Sequence, residues 1–131
     1  DKHFIFDLIR KIVNAKNGGD EVVLWGDGTQ TRELIFIDDA VDIILQSMSP
    51  KTPKIINLSS GKPYKLKEYA QTICDIVDYD YNLIKWDTDA FVGSKNKKLI
   101  NTHLKGYKFT SLKKGLTKTI KYYEDSISSS K

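Results

Sequence analysis

Of the 21 cationic residues only Arg10 and Arg32 are arginines. That scarcity singles each of them out, because a guanidinium is a planar fork that grips a phosphate through two hydrogen bonds and a lysine ammonium is not. Arg32 follows the glycine-rich turn Gly26-Asp27-Gly28 and has carboxylates nearby at Glu33 and Asp38. Two readings are open to it, an anion clamp and a surface ion pair. Seven residues earlier Trp25 offers an indole that packs in a core or lies on a sugar or base with its N–H free to donate. Asp38 and Asp39 form a carboxylate pair, but capping a following helix explains the first and complementing that helix's dipole explains the second. Cys74 falls on an apolar helical stripe and reads as a small hydrophobe. His103, at the start of a basic turn with no companion ligand, reads as a surface residue.

Several chemistries are excluded. The chain has no Gly-x-Gly-x-x-Gly and no Walker A sequence, so it carries neither common phosphate-cradling loop. His-Glu-x-x-His and Gly-x-Ser-x-Gly are missing too. A single cysteine rules out an intramolecular disulfide framework and any zinc site of several cysteines. At 131 residues, 40% hydrophobic and 29% charged, the sequence describes one ordinary globular domain. Its longest apolar runs are four residues, far from the roughly 20 that span a bilayer, and no signal-peptide pattern opens it. With Asp1 rather than Met at its head, it is expected to be a piece of a longer protein. Charge is uneven: residues 1–90 carry −4 and residues 91–131 carry +8. A basic tail with Tyr107, Phe109, Tyr122 and Tyr123 among its lysines is the case for a nucleic-acid-binding module. Against it, Lys113, Lys114, Lys118 and Lys121 lie off the apolar stripe, as on any solvated amphipathic helix.

The elements that must position these residues follow from periodicity. Ile5, Leu8, Ile9 and Ile12 predict a helix over about Phe4 to Lys16, ended by Asn17-Gly18-Gly19. Glu21 to Trp25 predicts a short strand and Glu33 to Ile37 a second extended piece. Asp38 is expected to cap a helix whose buried stripe is Val41, Ile44, Leu45 and Met48, stopped by Ser49-Pro50. Lys54 to Leu58 predicts a strand. Leu66, Tyr69, Ala70, Ile73, Ile76 and Val77 mark the next helix, with Lys65 standing where Ser or Thr would complete a capping box with Glu68. Asn82 to Trp86 predicts a strand, Asp87 to Lys97 a polar loop. Leu112, Leu116, Ile120, Tyr123 and Ile127 predict a final helix begun by Thr110 or Ser111. The sum is about four helices interleaved with four short strands.

The stretch from Val23 through Gly26-Asp27-Gly28, Gln30, Arg32 and Glu33 to Asp38-Asp39-Ala40 resembles a signature of the extended short-chain dehydrogenases/reductases, the NAD(P)-dependent epimerases, dehydratases and reductases of nucleotide sugars. Ile56-Asn57-Leu58-Ser59-Ser60-Gly61, Leu66 to Ala70, and Ser111 to Leu116 resemble later segments of the same family in the same order. Within it, His3-Phe4-Ile5 with Leu8 to Lys11, Ala15-Lys16, the Trp before Gly26, and Gly93-Ser94 with Lys97 to Ile100 resemble the GDP-L-fucose synthases.

The resemblance implies an α/β fold: a small C-terminal substrate-binding half-domain, residues 1–131, with the Rossmann domain absent. It implies His3 as a proton-transfer residue, a role suited to a group titrating near neutrality. It also implies Lys11, Trp25, Arg32, Lys97 and Lys98 as substrate-binding residues, with no metal and no cofactor residue in this chain. NADP or NAD would be held by the N-terminal domain, which would also carry the Tyr-x-x-x-Lys acid/base pair. Expected partners are a nucleotide-sugar, that N-terminal Rossmann domain and a second subunit in a homodimer, in the cytoplasm, without membrane or nucleic acid. The implied reaction is epimerisation and reduction of a GDP-4-keto-6-deoxy sugar. A UDP- or dTDP-sugar epimerase or dehydratase is the alternative, and a regulatory domain that keeps the fold without the chemistry is a third.

Overall fold

The structure is a computed structural model that describes residues 3–49, 55–91, 93–95 and 104–129. Helix α1 (Phe4–Lys16) forms where the apolar spacing requires it and buries Leu8, Ile9, Ile12 and Val13. It ends at Asn17, after which Gly18 takes a φ of +85°. Strand β1 (Val23–Trp25) and β2 (Thr31–Glu33) flank the glycine turn, α2 (Ile37–Gln46) follows, and β3 (Pro63–Lys65) runs directly into α3 (Leu66–Val77). A single 3-10 turn at Tyr81–Leu83 precedes β4 (Lys85–Asp87), and α4 (Leu112–Ser128) closes the described chain.

The strands make two small sheets rather than one. β1 pairs in parallel with β4, setting Leu24 opposite Trp86, and β2 pairs antiparallel with β3, setting Arg32 opposite Tyr64. Each sheet therefore joins a flank of the glycine turn to an end of the α3 region. The core lies where α3 packs against α1 and α4, with Tyr69, Ile73 and Cys74 fully buried. Burying a side chain such as Ile73 stabilises the fold by roughly 1.5–3 kcal/mol. Phe4 and Tyr64 both approach the Tyr69 ring edge-on, at 5.5 and 5.8 Å between centroids. Burial pushes the Cys74 thiol up to about 11, so it serves as packing and not as a nucleophile. Ser111 caps α4, its hydroxyl accepting from the Lys114 amide. Among the described residues no helix is long and apolar enough to cross a membrane.

Four helices with short strands in an α/β arrangement agree with the sequence expectation, but several details do not. The strand expected over Lys54 to Leu58 is absent from residues 55–58, and Lys54 lies outside the described residues. The extended piece expected over Glu33 to Ile37 sits earlier, as β2, because Thr31 to Glu33 finds a partner in β3 and Leu34 to Phe36 does not. β3 itself was not expected; a Pro at its first position hid it, although a first-residue Pro forfeits no needed N–H. The Asn82–Trp86 segment is a 3-10 turn followed by β4. Asp38 does not cap α2: the N-cap is Phe36, with no side-chain hydrogen bond, and Asp38 pairs instead with Lys118 at 3.1 Å. Asp39 does more than answer a helix dipole. It is only 7% exposed, and its carboxylate accepts from both the amide and the hydroxyl of Thr110, tying α2 to the segment before α4.

The largest departure concerns α2. Its expected buried stripe is open: Val41, Ile44, Leu45 and Met48 are all exposed, Leu45 to 62% and Met48 to 77%. Asp39, Ala40 and Ile43 are the residues buried instead. The helix is amphipathic as read, but its wider apolar face stays largely open, with Ile56 and Leu58 alongside Ile44 and Met48.

Candidate functional site

The loop between β1 and β2 is built to hold one shape. Asp27 accepts from the amide of Thr29 at 2.9 Å and from its hydroxyl at 2.6 Å, and these bonds hold its carboxyl below the usual range. Gly28 has a φ of +73°, and a Cβ there would stand 2.6 Å from the Trp86 ring, so both backbone and space demand glycine. The Gly26 amide donates to Asp87 O, and the carbonyls of Gly28 and Gln30 accept from Lys67 and Leu66 at the start of α3. The turn is thus fastened to β4 and to α3, two elements of the core. Gln30 straps it from within, its Nε2 donating to Trp25 O at 3.0 Å.

Arg32 leaves this loop on β2. Its backbone carbonyl accepts from the buried Tyr69 hydroxyl at 3.0 Å. Among the described residues its guanidinium donates through Nη1, to Thr31 O at 2.7 Å and Ser94 O at 3.0 Å. Neither Glu33 nor Asp38 pairs with it. Glu33 instead accepts from the hydroxyls of Ser59 and Ser60 and from the Gly61 amide, closing the turn before β3. The ion-pair reading of Arg32 therefore fails on geometry. What remains is a cation held by backbone oxygens, with the rest of its donors unmatched by any carboxylate among the described residues.

Arg32, Trp25 and Lys11 line one cleft of about 260 Å³ between α1 and the glycine loop, floored by Phe4, Leu8 and Leu24. Trp25 is 62% exposed, which removes it from the core. Lys11 reaches Val23 O at 3.2 Å and Asp7 at 3.2 Å. Burial pushes the Asp7 carboxyl up, but hydrogen bonds from Arg10 and Lys11 outweigh it and hold it below the usual range. Arg10 is committed to Asp7 at 2.6 Å and lies outside the cleft. The cleft accordingly offers Arg32, Lys11 paired with the Asp7 carboxylate that also lines it, an accessible indole and an apolar floor. That combination suits a phosphorylated ligand with a flat or sugar-like part.

His3 takes the N-cap position of α1 without a side-chain cap bond, is exposed, and does not line the cleft. Lys97, Lys98 and His103 lie outside the described residues. The structure thus brings together Lys11, Trp25 and Arg32, three of the six expected site residues. It adds Gln30 and Phe91, which the sequence reading passed over. Gln30 had one signal, its place two positions before Arg32. Phe91, in a polar loop, had none. A larger apolar groove of about 410 Å³ runs between the β2–α2 segment and α4, and none of the expected residues faces it. The aromatics of the basic tail are mostly spoken for: Tyr107 packs edge-on against Phe109 at 4.8 Å and donates to Asp42, and Tyr123 packs against Phe6 at 5.7 Å. Such rings make a poor stacking platform for bases.

Comparison with known proteins bears on what this arrangement is. The sequence pattern of the NAD dependent epimerase/dehydratase family matches residues 1–59. GDP-L-colitose synthase of Yersinia pseudotuberculosis is 33% identical over 94% of this chain and 42% of its own length. A probable GDP-L-fucose synthase of Oryza sativa subsp. japonica is 30% identical over the whole chain and 41% of its own length. Among solved structures, the GDP-L-fucose synthetase of Naegleria fowleri bound to NADP superposes with a TM-score of 0.84 at 23% identity, over 96% of this chain and 41% of that one. The chain spans about two fifths of the length of the relatives it matches. It belongs to the NAD dependent epimerase/dehydratase family, the extended short-chain dehydrogenases/reductases, with its likeness there running to the GDP-L-fucose and GDP-L-colitose synthases.

Proposed function

We propose that this chain is the nucleotide-sugar-binding part of a sugar-nucleotide epimerase/reductase, acting on a GDP-4-keto-6-deoxyhexose, and that Arg32 clamps the diphosphate. The observation that carries this reading is the state of Arg32: a fork-shaped cation, fixed by two backbone carbonyls and paired with no carboxylate among the described residues, on a cleft it shares with the Lys11–Asp7 pair and an open indole. A diphosphate there would meet Arg32 in two parallel hydrogen bonds and Lys11 as a point charge. Trp25 would cover the sugar or base. Lys97 and Lys98 would add charge, and His3 would serve proton transfer beyond the cleft. At about 260 Å³ the cleft is smaller than a usual small-molecule pocket, in keeping with one wall of a site that a second domain completes.

The nicotinamide cofactor of the family does not fit the residues of this chain. A dinucleotide site needs a glycine-rich turn leading into a helix. Here the helices open on His3, Phe36, Lys65 and Ser111. NADP or NAD would belong to an N-terminal Rossmann domain. The open apolar face of α2 is a surface such a domain could cover. The relatives' further length supplies a body large enough to cover it.

Titrating GDP into the isotope-labelled chain tests the reading, with the two indole N–H signals as reporters. Trp25 should shift saturably, while Trp86, packed on Gly28, stays put. If neither moves, and a short DNA duplex binds with a steep salt dependence instead, the basic-module reading replaces this one.

A further inference from the structure

Gln30 holds the one buried side-chain polar atom without a partner among the described residues, its Oε1. The side chain is 7% exposed, and its orientation is fixed because Nε2 donates to Trp25 O at 3.0 Å. Its own backbone carbonyl is already used by Leu66, and the residue lines the same cleft as Arg32. A buried acceptor left unmatched is costly, and native structures rarely keep one without a use for it. Lys11 and Arg32, the cations that line the cleft, donate to Val23 O, Asp7, Thr31 O and Ser94 O and not to this oxygen.

We propose that Gln30 Oε1 accepts a hydrogen bond from a ligand hydroxyl adjoining the diphosphate, which makes Gln30 a second reader of the nucleotide-sugar. This rests on the diphosphate reading of Arg32. Gln30 and Arg32 line the same cleft two positions apart, which spans at most about 7 Å of chain. That is the scale separating a diphosphate from the first hydroxyls of the ribose on one side or the pyranose on the other. Gln30 lines the cleft, and its Oε1 is shielded from solvent there. An acceptor there selects for hydroxyls and against their deoxy counterparts, a discrimination that Arg32 and Trp25 cannot supply.

Three probes separate the sources: GDP, 2′,3′-dideoxy-GDP and GDP-mannose, each titrated into the wild-type chain and Gln30→Met. A ribose partner makes dideoxy-GDP about 3- to 10-fold weaker than GDP in the wild type and equal to it in the variant. A pyranose partner makes GDP-mannose tighter than GDP by a similar factor, again only in the wild type. Because Gln30 also straps the glycine turn, Gln30→Met on its own can weaken every probe alike. The difference between probes, not the overall loss, is the readout. If the variant does not fold, the wild-type Gln30 side-chain amide signals stand in: they should move with GDP or GDP-mannose and stay still with whichever probe lacks the hydroxyl. Binding of all three with equal affinity overturns the inference and leaves the diphosphate reading standing. No binding of any overturns both.

Discussion

Helices α2 and α3 have apolar positions at the same helical spacing and meet opposite fates. α3 buries Tyr69, Ala70, Ile73, Cys74 and Val77 between α1 and α4, whereas α2 leaves Val41, Ile44, Leu45 and Met48 open. The difference lies not in the helices but in what the chain brings to them. α3 is reached by a strand at its start, a 3-10 turn at its end and two flanking helices. α2 is held by a few contacts on its narrower side, chiefly Ile43 and the Asp39–Thr110 bonds. An apolar stripe names a face that needs covering; it does not name the cover.

The comparison breaks first at the core. Ile73→Ala should cost about 2–5 kcal/mol, since it opens a cavity among fully buried neighbours. Leu45→Ala should stay within about 0.5 kcal/mol. Denaturant midpoints check both, and equal losses would mean that α2 is covered in the isolated chain. Asp39→Ala comes next: it strands the Thr110 amide and should cost about 1–3 kcal/mol. Asp38→Ala removes only an exposed pair with Lys118 and should cost under about 1 kcal/mol. A third test concerns association. The open face should draw copies of the chain together, and Ile44→Lys with Leu45→Lys should return the sedimentation profile to monomer with little change in stability. The smallest effect is electrostatic. Asp7 is held below its ordinary range in the folded state, so its contribution is present above the unfolded value of about 3.9 and is lost as pH falls through the folded one. Below about pH 4, Asp7→Asn should therefore show a shallower acid loss than wild type, by a modest margin because the group is part-exposed.

Much of the fold was legible because it rests on local chemistry. Asn17-Gly18 stops α1, Ser111 starts α4, and the stripes of α1 and α3 pack inward where their periodicity put them, as does that of α4 except for Ile127, which is 39% exposed. What was not legible depends on partners distant in sequence. β3 exists because Tyr64 finds Arg32, while residues 55–58 form no strand. Asp39 looked like a helix-dipole residue because Thr110, its actual partner, stands 71 positions away. The same division runs through the cleft. Arg32, Trp25 and Lys11 were found from residue type and resemblance, while Gln30 emerged only once its unpaired oxygen could be seen.

The central claim is that Arg32 clamps a diphosphate, and the affinity of the Arg32→Lys chain for GDP tests it most directly. Lysine keeps the charge and loses the fork. With a charged hydrogen bond contributing roughly 1.5–3 kcal/mol, binding should weaken about 10- to 150-fold. The Trp25 indole should then fail to saturate at GDP concentrations that saturate wild type. Arg10→Lys, in the exposed pair with Asp7, should leave the titration unchanged. A wild-type GDP affinity in the Arg32→Lys chain would contradict the account and remove Arg32 from the site.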